Sequence, residues 1–466
     1  MTDKDLLKLG VPRGKALGLA LKVCHTRRKS GVAPKLILRQ LKGVVARPEA
    51  YLLDEDYGSL AKILAEQGVA STVVRGEAGS ATFRQWGSDL DPASVQQMEM
   101  ACRLPISVRG ALMPDAHVGY GLPIGGVLAT RGAVIPYAVG VDIACRVKMS
   151  VLDLPLSSLD EDEDRLRQAI AEETRFGIGA SFKRHRQHEV MDRDWTVSPI
   201  TRQLRDKAWS QLGTSGSGNH FVEFGVLEIG APIRDLEAGR YVALLSHSGS
   251  RGTGAQVCAH YSKLAMSGLR GVLDSKYQQL SWLSLDSHEG QEYWAAMELM
   301  GHYASANHAC IHDHIARNLG VAVLGALENH HNFAWKERHD GEDLVVHRKG
   351  ATPAGDGVLG IIPGTMATPA YVVRGLGKAA ALNSAAHGAG RVMSRTQAKK
   401  TCSWERARSQ LHDAGVTLIS AGLDEVPMVY KDIDAVMAAQ ADLVTPIARF
   451  FPRLVKMAPA GERAED

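Results

Sequence analysis

Short apolar segments separated by glycine and proline make up most of the chain after about residue 108. The stretch 108–152 consists of such segments with glycines between them, and 213–230 and 241–254 each place an apolar run beside a glycine turn. Residues 342–395 show the same alternation of short apolar segments with glycine and proline. Apolar runs of this length between turn residues predict β-strands.

Helical periodicity is clearest in four other regions, and residues 35–100 mix helix with short strands. Residues 5–30 predict a short basic helical hairpin that is interrupted between Gly10 and Gly14. Residues 157–177, 290–319 and 397–415 each repeat their apolar positions with a helical period. No internal repeat and no linker is evident. The sequence therefore predicts an α+β fold with one large domain.

Charge divides the chain unevenly and suggests its boundaries. Residues 1–49 carry 12 Lys/Arg against 3 Asp/Glu, a local +9, whereas the whole chain is only +3. We predict a basic N-terminal appendage over 1–49, the large domain over 50–457 and a disordered C-terminal tail over 458–466. A basic arm suits a polyphosphate partner. The alternatives are a solvated helical face or a helical cap packed on the core.

Composition indicates a globular protein, and the sequence predicts no membrane-spanning helix. Hydrophobic residues make up 45% and charged residues 23% of the chain, and no apolar run approaches the roughly 20 residues of a membrane-spanning helix. The N-terminus lacks the features of a signal peptide, so we expect a cytoplasmic protein. Six scattered cysteines without a CxxC pair indicate reduced thiols rather than disulfides.

Five scattered side chains are candidate metal ligands. Asp142 and Cys145 lie three residues apart, so one turn can present a carboxylate and a thiolate to one ion. His220, His247 and His331 each begin or end an apolar segment. Such a mixed set suits Mn, Co, Zn or Fe, and a thiolate can bridge two ions. Spacing alone does not show that the five converge, and each is also compatible with a structural role.

A second group of histidines crowds one predicted helix. His302, His308, His312 and His314 include a pair at i,i+4 spacing, but no HExxH pattern supplies a glutamate base. We interpret this group as ordinary helix surface.

No common nucleotide motif is present. The chain lacks GxxxxGK[ST], its GYGLPIGG stretch departs from GxGxxG, and no lysine is followed two residues later by Asp-Gly. The sequence HGAGR at 387–391 offers another route to a covalent nucleotide. Its glycines let backbone N–H groups approach a phosphate, Arg391 can neutralise charge, and an imidazole such as His387 can attack phosphorus. The alternative is a structural histidine in a glycine turn.

Taken in order, these segments resemble the RtcB family of RNA-splicing ligases. The matching motifs are MPDAHVGYGLPIGG, GVDIAC, GTSGSGNHFVE, HSGSRG, HHNFAWKE, HRKGAT, IPGTM and HGAGRVMSR, which span residues 113–395. The later YKDI and VK elements extend the match to residue 456. The resemblance implies one large catalytic domain with mixed or antiparallel sheets flanked by helices.

The resemblance also implies site residues. Asp142, Cys145 and His220 would hold one Mn²⁺, and Cys145, His247 and His331 a second. His387 would be the catalytic nucleophile that takes GMP from GTP, and Glu223 would contact the guanine edge. The implied guanylate contacts are Asn219, His220, Phe221, Val222, Glu223, His331, Asn332, Pro363, Gly364, Thr365, Met366, Ala370, His387, Gly388, Ala389, Gly390, Tyr430 and Lys456.

The implied activity is joining of an RNA 2′,3′-cyclic phosphate or 3′-phosphate end to a 5′-hydroxyl end through a histidine–GMP intermediate. It would require GTP and two Mn²⁺ per chain, with tRNA halves or nuclease-cleaved RNA as substrates. The sequence leaves open whether an accessory activating protein takes part. Two competing interpretations are a two-metal phosphodiesterase or phosphatase that does not ligate, and an inactive RNA-binding relative.

Five positions depart from the family pattern. Arg146 follows the bridging cysteine where glycine is usual, and Ala370 replaces a serine. Ala385 and Ala386 precede His387 where a cysteine often stands, and Val118 replaces a basic residue. Because the five metal positions and the nucleophile are intact, these changes bear on substrate preference and turnover rather than on the chemistry.

Overall fold

The computed structural model describes residues 2–12, 14–46, 48–52, 54–65 and 81–462. The fold is α+β, as the sequence predicts, with mixed sheets and helices against them. The strands are β1 Thr82–Gln85, β2 Ser107–His117, β3 Ile124–Thr130, β4 Ala133–Val134, β5 Arg146–Leu152, β6 Phe221–Ile229, β7 Gly239–Ser248, β8 Leu283–Ser284, β9 Val323–His330, β10 Asn332–His339, β11 Glu342–Lys349, β12 Ala351–Pro353, β13 Leu359–Ile362, β14 Ala370–Gly375, β15 Ser384–Ala386, β16 Thr417–Ser420 and β17 Val444–Met457.

Helices occupy much of the remaining chain. They are α1 Asp3–Lys8, α2 Lys15–Lys29, α3 Pro34–Ala46, α4 58–65, α5 Pro92–Cys102, α6 Pro136–Val139, α7 Ser158–Glu161, α8 Glu163–Glu173, α9 Pro199–Gln211, α10 Arg251–Gly268, α11 His288–Leu319, α12 Arg395–Thr401, α13 Trp404–Asp413 and α14 Ile433–Ala439. The helix predicted over 397–415 is thus two helices, since Ser403 caps the start of α13. No described helix is both long and apolar enough to span a bilayer.

Two sheets organise the large domain. The larger has the order β13-β14-β17-β6-β7-β5-β9, with antiparallel neighbours throughout, and β16 adds to β17 in parallel. The second has the order β1-β2-β3-β11-β10, in which only β1 and β2 are parallel. Strands far apart in sequence therefore end side by side, which brings their terminal residues together.

Helix α11 packs against the larger sheet. Ser287 caps its start by accepting a hydrogen bond from the Gly290 N–H, and Gly320 ends it in the left-handed conformation. The interpretation of its histidines as helix surface is wrong for His308 and His312, which are both buried. Their rings hydrogen-bond the Ser246 hydroxyl at 2.6 and 2.8 Å, because this face of the helix lies on β5 and β7.

The N-terminal helices enclose an apolar cluster of their own. Leu6, Ala20 and Leu41 are fully buried in it, and so are Leu60 and Ala61 from α4. The cluster extends beyond the boundary predicted at residue 49, because α4 supplies one side of the core. Among the described residues, all members of this cluster lie between positions 6 and 64.

The predicted C-terminal tail is partly described. Ala458 is buried, and a Glu462 carboxylate oxygen accepts a hydrogen bond from the Ile178 N–H at 3.4 Å. Residues 463–466 lie outside the described residues.

Candidate active site

A tight turn before β5 presents Asp142 and Cys145. Ala144, between them, has a positive φ of 59°, and its N–H donates to the Asn332 carbonyl at 2.7 Å. The Ser250 N–H donates to Asp142 Oδ1 at 2.9 Å, and Asp142 Oδ2 lies 3.2 Å from His220 Nε2. A Cβ at Gly249 would lie only 2.0 Å from Asp142 Oδ2, so glycine is required there.

Sheet topology brings three histidines to the same edge. His220 immediately precedes β6, and His247 pairs with Phe221 across β6 and β7. His331 immediately follows β9, whose last residue, His330, pairs with Arg146. Because β6, β7, β5 and β9 are consecutive in the sheet, the three imidazoles gather around Cys145.

The five candidate ligands form two groups of three that share Cys145. The Cys145 Sγ lies 3.1 Å from His247 Nε2 and 3.5 Å from His220 Nε2. His247 Nε2 is 3.2 Å from His331 Nε2, and His220 Nε2 is 3.2 Å from Asp142 Oδ2. The structure thus brings together all five side chains proposed from the sequence.

The protonation pattern of this cluster suits a cation. Nδ1 of His220 lies 2.8 Å from the Ser215 carbonyl, and Nδ1 of His247 lies 3.1 Å from the Asn219 carbonyl. If each Nδ1 donates to its carbonyl, the Nε2 lone pairs face the Cys145 sulfur. Burial lowers the pKa of His247 to about 3 and that of His331 well below its usual range, so both rings are neutral. Lone pairs this close repel one another unless a positive ion lies among them.

His387 lies beside this cluster in the turn after β15. Its ring centroid is 4.8 Å from that of His331. Nδ1 of His387 donates to Asp115 Oδ2 at 2.7 Å, and the same oxygen accepts from the His387 backbone N–H at 3.1 Å. This arrangement fixes the tautomer and leaves Nε2 with the available lone pair. Gly390 has φ +72°, and a Cβ there would lie 2.2 Å from the Asp115 carbonyl oxygen.

Asp115 is a candidate functional residue that sequence reasoning missed. It belongs to the quoted MPDAHVG motif, but 272 positions separate it from His387. Its side chain is fully buried. Only the approach of β2 to the turn after β15 reveals the pairing.

A pocket opens on one side of His387. Phe221 and Glu223 of β6 and Val455 and Met457 of β17 form one wall, and Glu425 lies at another. The predicted guanylate contacts that line this pocket are Asn219, Phe221, Glu223, His331, Pro363, Gly364, Thr365, Met366, Ala370, His387, Gly388, Ala389, Gly390 and Tyr430.

Glu223 places a carboxyl group in the pocket wall. The residue is 5% exposed, and burial raises its pKa to about 8. A carboxyl group in such surroundings is set to bind a ligand that donates hydrogen bonds, because ionisation without a partner is costly.

Two predicted contacts place their side chains on the other face of the sheet. Val222 is fully buried in a separate apolar cluster that includes Phe224. Lys456 pairs with Val222 across β6 and β17, and its Nζ donates to Thr174 Oγ1 at 3.1 Å. Burial lowers the pKa of Lys456 to about 8. Neither residue is part of the pocket lining.

Asn332 braces the metal-ligand turn. Its Nδ2 donates to the Asp142 carbonyl at 3.2 Å, and its Oδ1 accepts from the Gly350 N–H at 2.8 Å. Together with His220, it borders a larger cleft on the other side of the cluster.

This larger cleft meets the pocket at His331 and His387. Its walls carry Lys349, Arg391 and Arg395, of which Lys349 and Arg395 are not recognisable as site residues from the sequence. Lys349 Nζ donates to the Tyr120 carbonyl at 2.5 Å, and burial lowers its pKa to about 7. Arg391 and Arg395 therefore supply the positive charge of the cleft next to the cluster.

The departures from the family pattern leave the cluster undisturbed. The Arg146 guanidinium turns away to Glu328 at 2.9 Å and to the Gly301 carbonyl at 3.1 Å. Val118 is exposed at the cleft, and Ala370 lines the pocket. Ala385 and Ala386 are buried in β15.

These features define a candidate metal-dependent enzyme whose site holds a histidine oriented by a buried carboxylate. The chain belongs to the RtcB family: the family model described as tRNA-splicing ligase RtcB matches residues 96–207 and 188–457. It is 34% identical over 403 residues to the RNA-splicing ligase RtcB of Escherichia coli K12, covering 78% of this chain and 94% of that protein.

Bacterial and archaeal relatives give a consistent picture. Identity is 32% over 427 residues to the RNA-splicing ligase RtcB of Mycobacterium tuberculosis H37Rv, covering 76% of this chain and 98% of that protein. Identity to the tRNA-splicing ligase RtcB of Archaeoglobus fulgidus is 32% over 438 residues, which cover 78% of this chain and 90% of that protein. The resemblance found in the sequence is confirmed.

Proposed function

We propose that this protein is an RNA ligase that uses GTP and Mn²⁺ to join 2′,3′-cyclic phosphate or 3′-phosphate ends to 5′-hydroxyl ends. The observation that carries the proposal is the position of His387. Its ring lies between the five-ligand cluster, the pocket and the larger cleft, and Asp115 holds its Nδ1. Family membership supports the same reaction class.

The donor set would suit two Mn²⁺ ions, because Cys145 belongs to both ligand groups. Asp142 and His220 would complete one ligand group, and His247 and His331 the other. When bound, the ions supply positive charge that stabilises the phosphates during transfer.

The first chemical step forms a bond between His387 Nε2 and the α-phosphorus of GTP. The bond from that phosphorus to the bridging oxygen breaks, and pyrophosphate leaves. Asp115 keeps the proton on Nδ1 and stabilises the positive charge that the imidazole acquires. The Gly388 N–H also donates to Asp115 Oδ2, at 3.3 Å, which holds the turn in register with the carboxylate.

The following steps consume the RNA ends. Water first opens a 2′,3′-cyclic phosphate to a 3′-phosphate. An oxygen of that phosphate attacks the GMP phosphorus, the bond to His387 breaks, and an RNA(3′)pp(5′)G end forms. The 5′-hydroxyl oxygen of the second fragment then attacks the 3′-phosphate and expels GMP. Lys349 and Arg391 in the larger cleft are suited to receive the RNA phosphates.

The pocket is suited to the guanine and ribose of the nucleotide. Glu223 would accept hydrogen bonds from the guanine edge, and Phe221 and Met366 would supply apolar contact. Tyr430 hydrogen-bonds Glu425 and lies beneath the Arg391 guanidinium, which is 5.4 Å from its ring centroid. This pair closes the pocket on the side of His387.

Labelling with α-³²P GTP tests the proposal. Wild-type protein with Mn²⁺ is expected to retain acid-labile label after denaturation, and His387→Ala is expected to retain none. His412→Ala is a matched control because that side chain is 91% exposed. Label that survives in His387→Ala would overturn the assignment of the nucleophile.

Joining is measured separately on a nicked RNA hairpin with 2′,3′-cyclic phosphate and 5′-hydroxyl ends. Sealing by purified protein alone would show that no accessory protein is required. Opening of the cyclic phosphate without label or sealing would instead identify a phosphodiesterase. Binding without any reaction would identify an inactive RNA-binding relative.

A further inference from the structure

The N-terminal helices form a module outside the part of the chain that matches the family. The family model begins at residue 96, whereas α1 to α4 lie within residues 3–65. These helices pack on their own apolar cluster, which includes Leu6, Leu41 and Leu60. Leu6, Leu41 and Leu60 are therefore buried inside the module, whereas Leu36 and Leu52 are 47% and 45% exposed, which leaves its outer faces to be explained.

Positive charge is concentrated on this module. Residues 1–65 contain 13 Lys/Arg and 6 Asp/Glu, a local +7, which leaves −4 for the other residues of the chain. One arginine, Arg27, pairs with Asp56 at 2.6 Å. Because Lys and Arg outnumber Asp and Glu by seven in residues 1–65, this excess has no carboxylate of the module to balance it.

Two basic stripes run along consecutive helices. In α2, Lys15, Lys22 and Lys29 are exposed and lie seven residues apart, so they share one face. The buried residues of this helix, Ala16, Ala20 and Cys24, lie on the opposite face.

Helix α3 repeats the arrangement. Lys35, Arg39 and Lys42 are exposed at spacings of four and three residues, opposite the buried Ile37 and Leu41. Among the described residues, no carboxylate forms an ion pair with any of the six side chains of these two stripes.

The module offers little for stacking of unpaired bases. Its sequence contains no Phe or Trp, and its two tyrosines are Tyr51 and Tyr57. Tyr57 is 2% exposed, and Tyr51 packs against it edge to face with ring centroids 6.5 Å apart. Proteins that bind single strands stack bases on aromatic side chains, whereas double-stranded RNA is bound through its backbone and shape.

We propose that the two basic stripes bind the phosphate backbone of a base-paired RNA stem, independent of its sequence. The ends of the same RNA would lie in the catalytic domain. The inference rests on the proposed function only in taking RNA as the substrate. It assigns the module a role in holding structured RNA, with no part in the guanylylation of His387.

Salt dependence of binding tests the proposal directly. The probe is a fully paired RNA hairpin without joinable ends, compared with an unstructured poly(U) of equal length. Lys15→Gln/Lys22→Gln/Lys29→Gln and Lys35→Gln/Arg39→Gln/Lys42→Gln are each expected to weaken hairpin binding about tenfold or more at low salt. Each should also reduce the slope of log K against log salt by up to about 3, since each phosphate contact contributes roughly one unit.

A charge-matched control comes from the catalytic domain. Arg240, Arg317 and Arg338 have side chains that are 61%, 72% and 71% exposed. Arg240→Gln/Arg317→Gln/Arg338→Gln removes the same charge and is expected to change the slope far less. Circular dichroism of each full-length variant checks that α1 to α4 remain folded.

The outcomes separate this inference from the proposed ligase activity. An unchanged slope in both folded stripe variants would overturn the inference, as would equal loss in the control. Stronger binding of poly(U) than of the hairpin would assign the module to single strands and overturn it as well. Stripe-dependent hairpin binding by a protein that cannot label His387 would uphold the inference and reject the ligase.

Discussion

The carboxylate of Asp115 accepts a hydrogen bond from Nδ1 of His387 at 2.7 Å, across 272 positions of sequence. The same oxygen accepts the backbone N–H groups of His387 and Gly388. One buried carboxylate thus orients the ring, fixes its tautomer and holds the turn that carries it. Asp115 is a positioning residue by this geometry, since it acts through His387.

Substitutions at Asp115 should have graded effects on GMP transfer. In Asp115→Asn the amide oxygen can still accept from Nδ1, so only the charge is lost. Because charged hydrogen bonds exceed neutral ones by about 1–2 kcal/mol, we expect about tenfold slower labelling of His387. Asp115→Ala removes the acceptor as well and should slow labelling by about a hundredfold or more.

Single-turnover labelling with α-³²P GTP measures both Asp115 variants. Equilibrium binding of GTP should stay within a few-fold of wild type in Asp115→Asn, which separates positioning from nucleotide affinity. Equal rates for wild type and Asp115→Ala would refute the positioning role.

Cys145 should be necessary for both metal ions, because it is the member common to the two ligand groups. Cys145→Ala is expected to lower the metal content of Mn²⁺-refilled protein and to stop labelling and joining. Cys258→Ala is the matched control, since Cys258 is likewise buried, belongs to an apolar cluster and is in neither ligand group. Atomic absorption after desalting gives the metal count. Two ions per chain and full activity in Cys145→Ala would contradict the bridging role.

Glu223 should make GTP affinity depend on pH. Its pKa is raised to about 8 by burial, so the free pocket holds a protonated carboxyl group at pH 7. Guanine donates hydrogen bonds at its N1 and N2 positions, so binding favours the ionised form and releases a proton. Affinity should therefore rise between pH 6 and 8 and level off above pH 8.

The Glu223→Gln variant isolates this dependence. It should bind GTP more weakly and lose the part of the pH dependence that comes from the carboxyl group. Titration calorimetry in buffers of different ionisation enthalpy reports the proton release directly. The same pH profile in wild type and Glu223→Gln would show that Glu223 does not contact the guanine.

The sequence identifies the chemistry of the site better than its geometry. The turn at Asp142 and Cys145 was recognisable because both ligands are local. Convergence with the three histidines depends on the order β6-β7-β5-β9, which no local pattern specifies. The partnership of Asp115 with His387 is equally non-local.

Two other differences between the prediction and the structure follow from the way strands and helices orient their side chains. A strand turns alternate side chains to opposite faces, so Phe221 and Glu223 in the pocket imply that Val222 faces away. A motif match assigns the same role to every residue of such a run and takes no account of this alternation. The sequence predicts surface positions for His308 and His312, because a helix with polar residues on several faces gives no clear inner side. The hydroxyl of Ser246 makes their burial tolerable.

Arg146 should support stability rather than catalysis, although it adjoins Cys145. Its side chain is 6% exposed and pairs with Glu328, whose side chain is 32% exposed and also accepts from the Ser305 hydroxyl at 2.7 Å. Removal of the guanidinium takes its closest cationic partner from the partly buried Glu328 carboxylate, which keeps Ser305 and Lys148, and removes one donor from the Gly301 carbonyl. We expect Arg146→Ala to lower the free energy of unfolding by about 2 kcal/mol, less than for a fully buried pair because water reaches Glu328.

The double variant Arg146→Ala/Glu328→Gln should recover part of that loss, since no carboxylate remains to be solvated. Denaturant titration of the single and double variants measures both effects, and GTP labelling of His387 at a temperature where each is folded should match wild type. If labelling by folded Arg146→Ala falls in parallel with its metal content, the arginine instead takes part in shaping the cluster at Cys145.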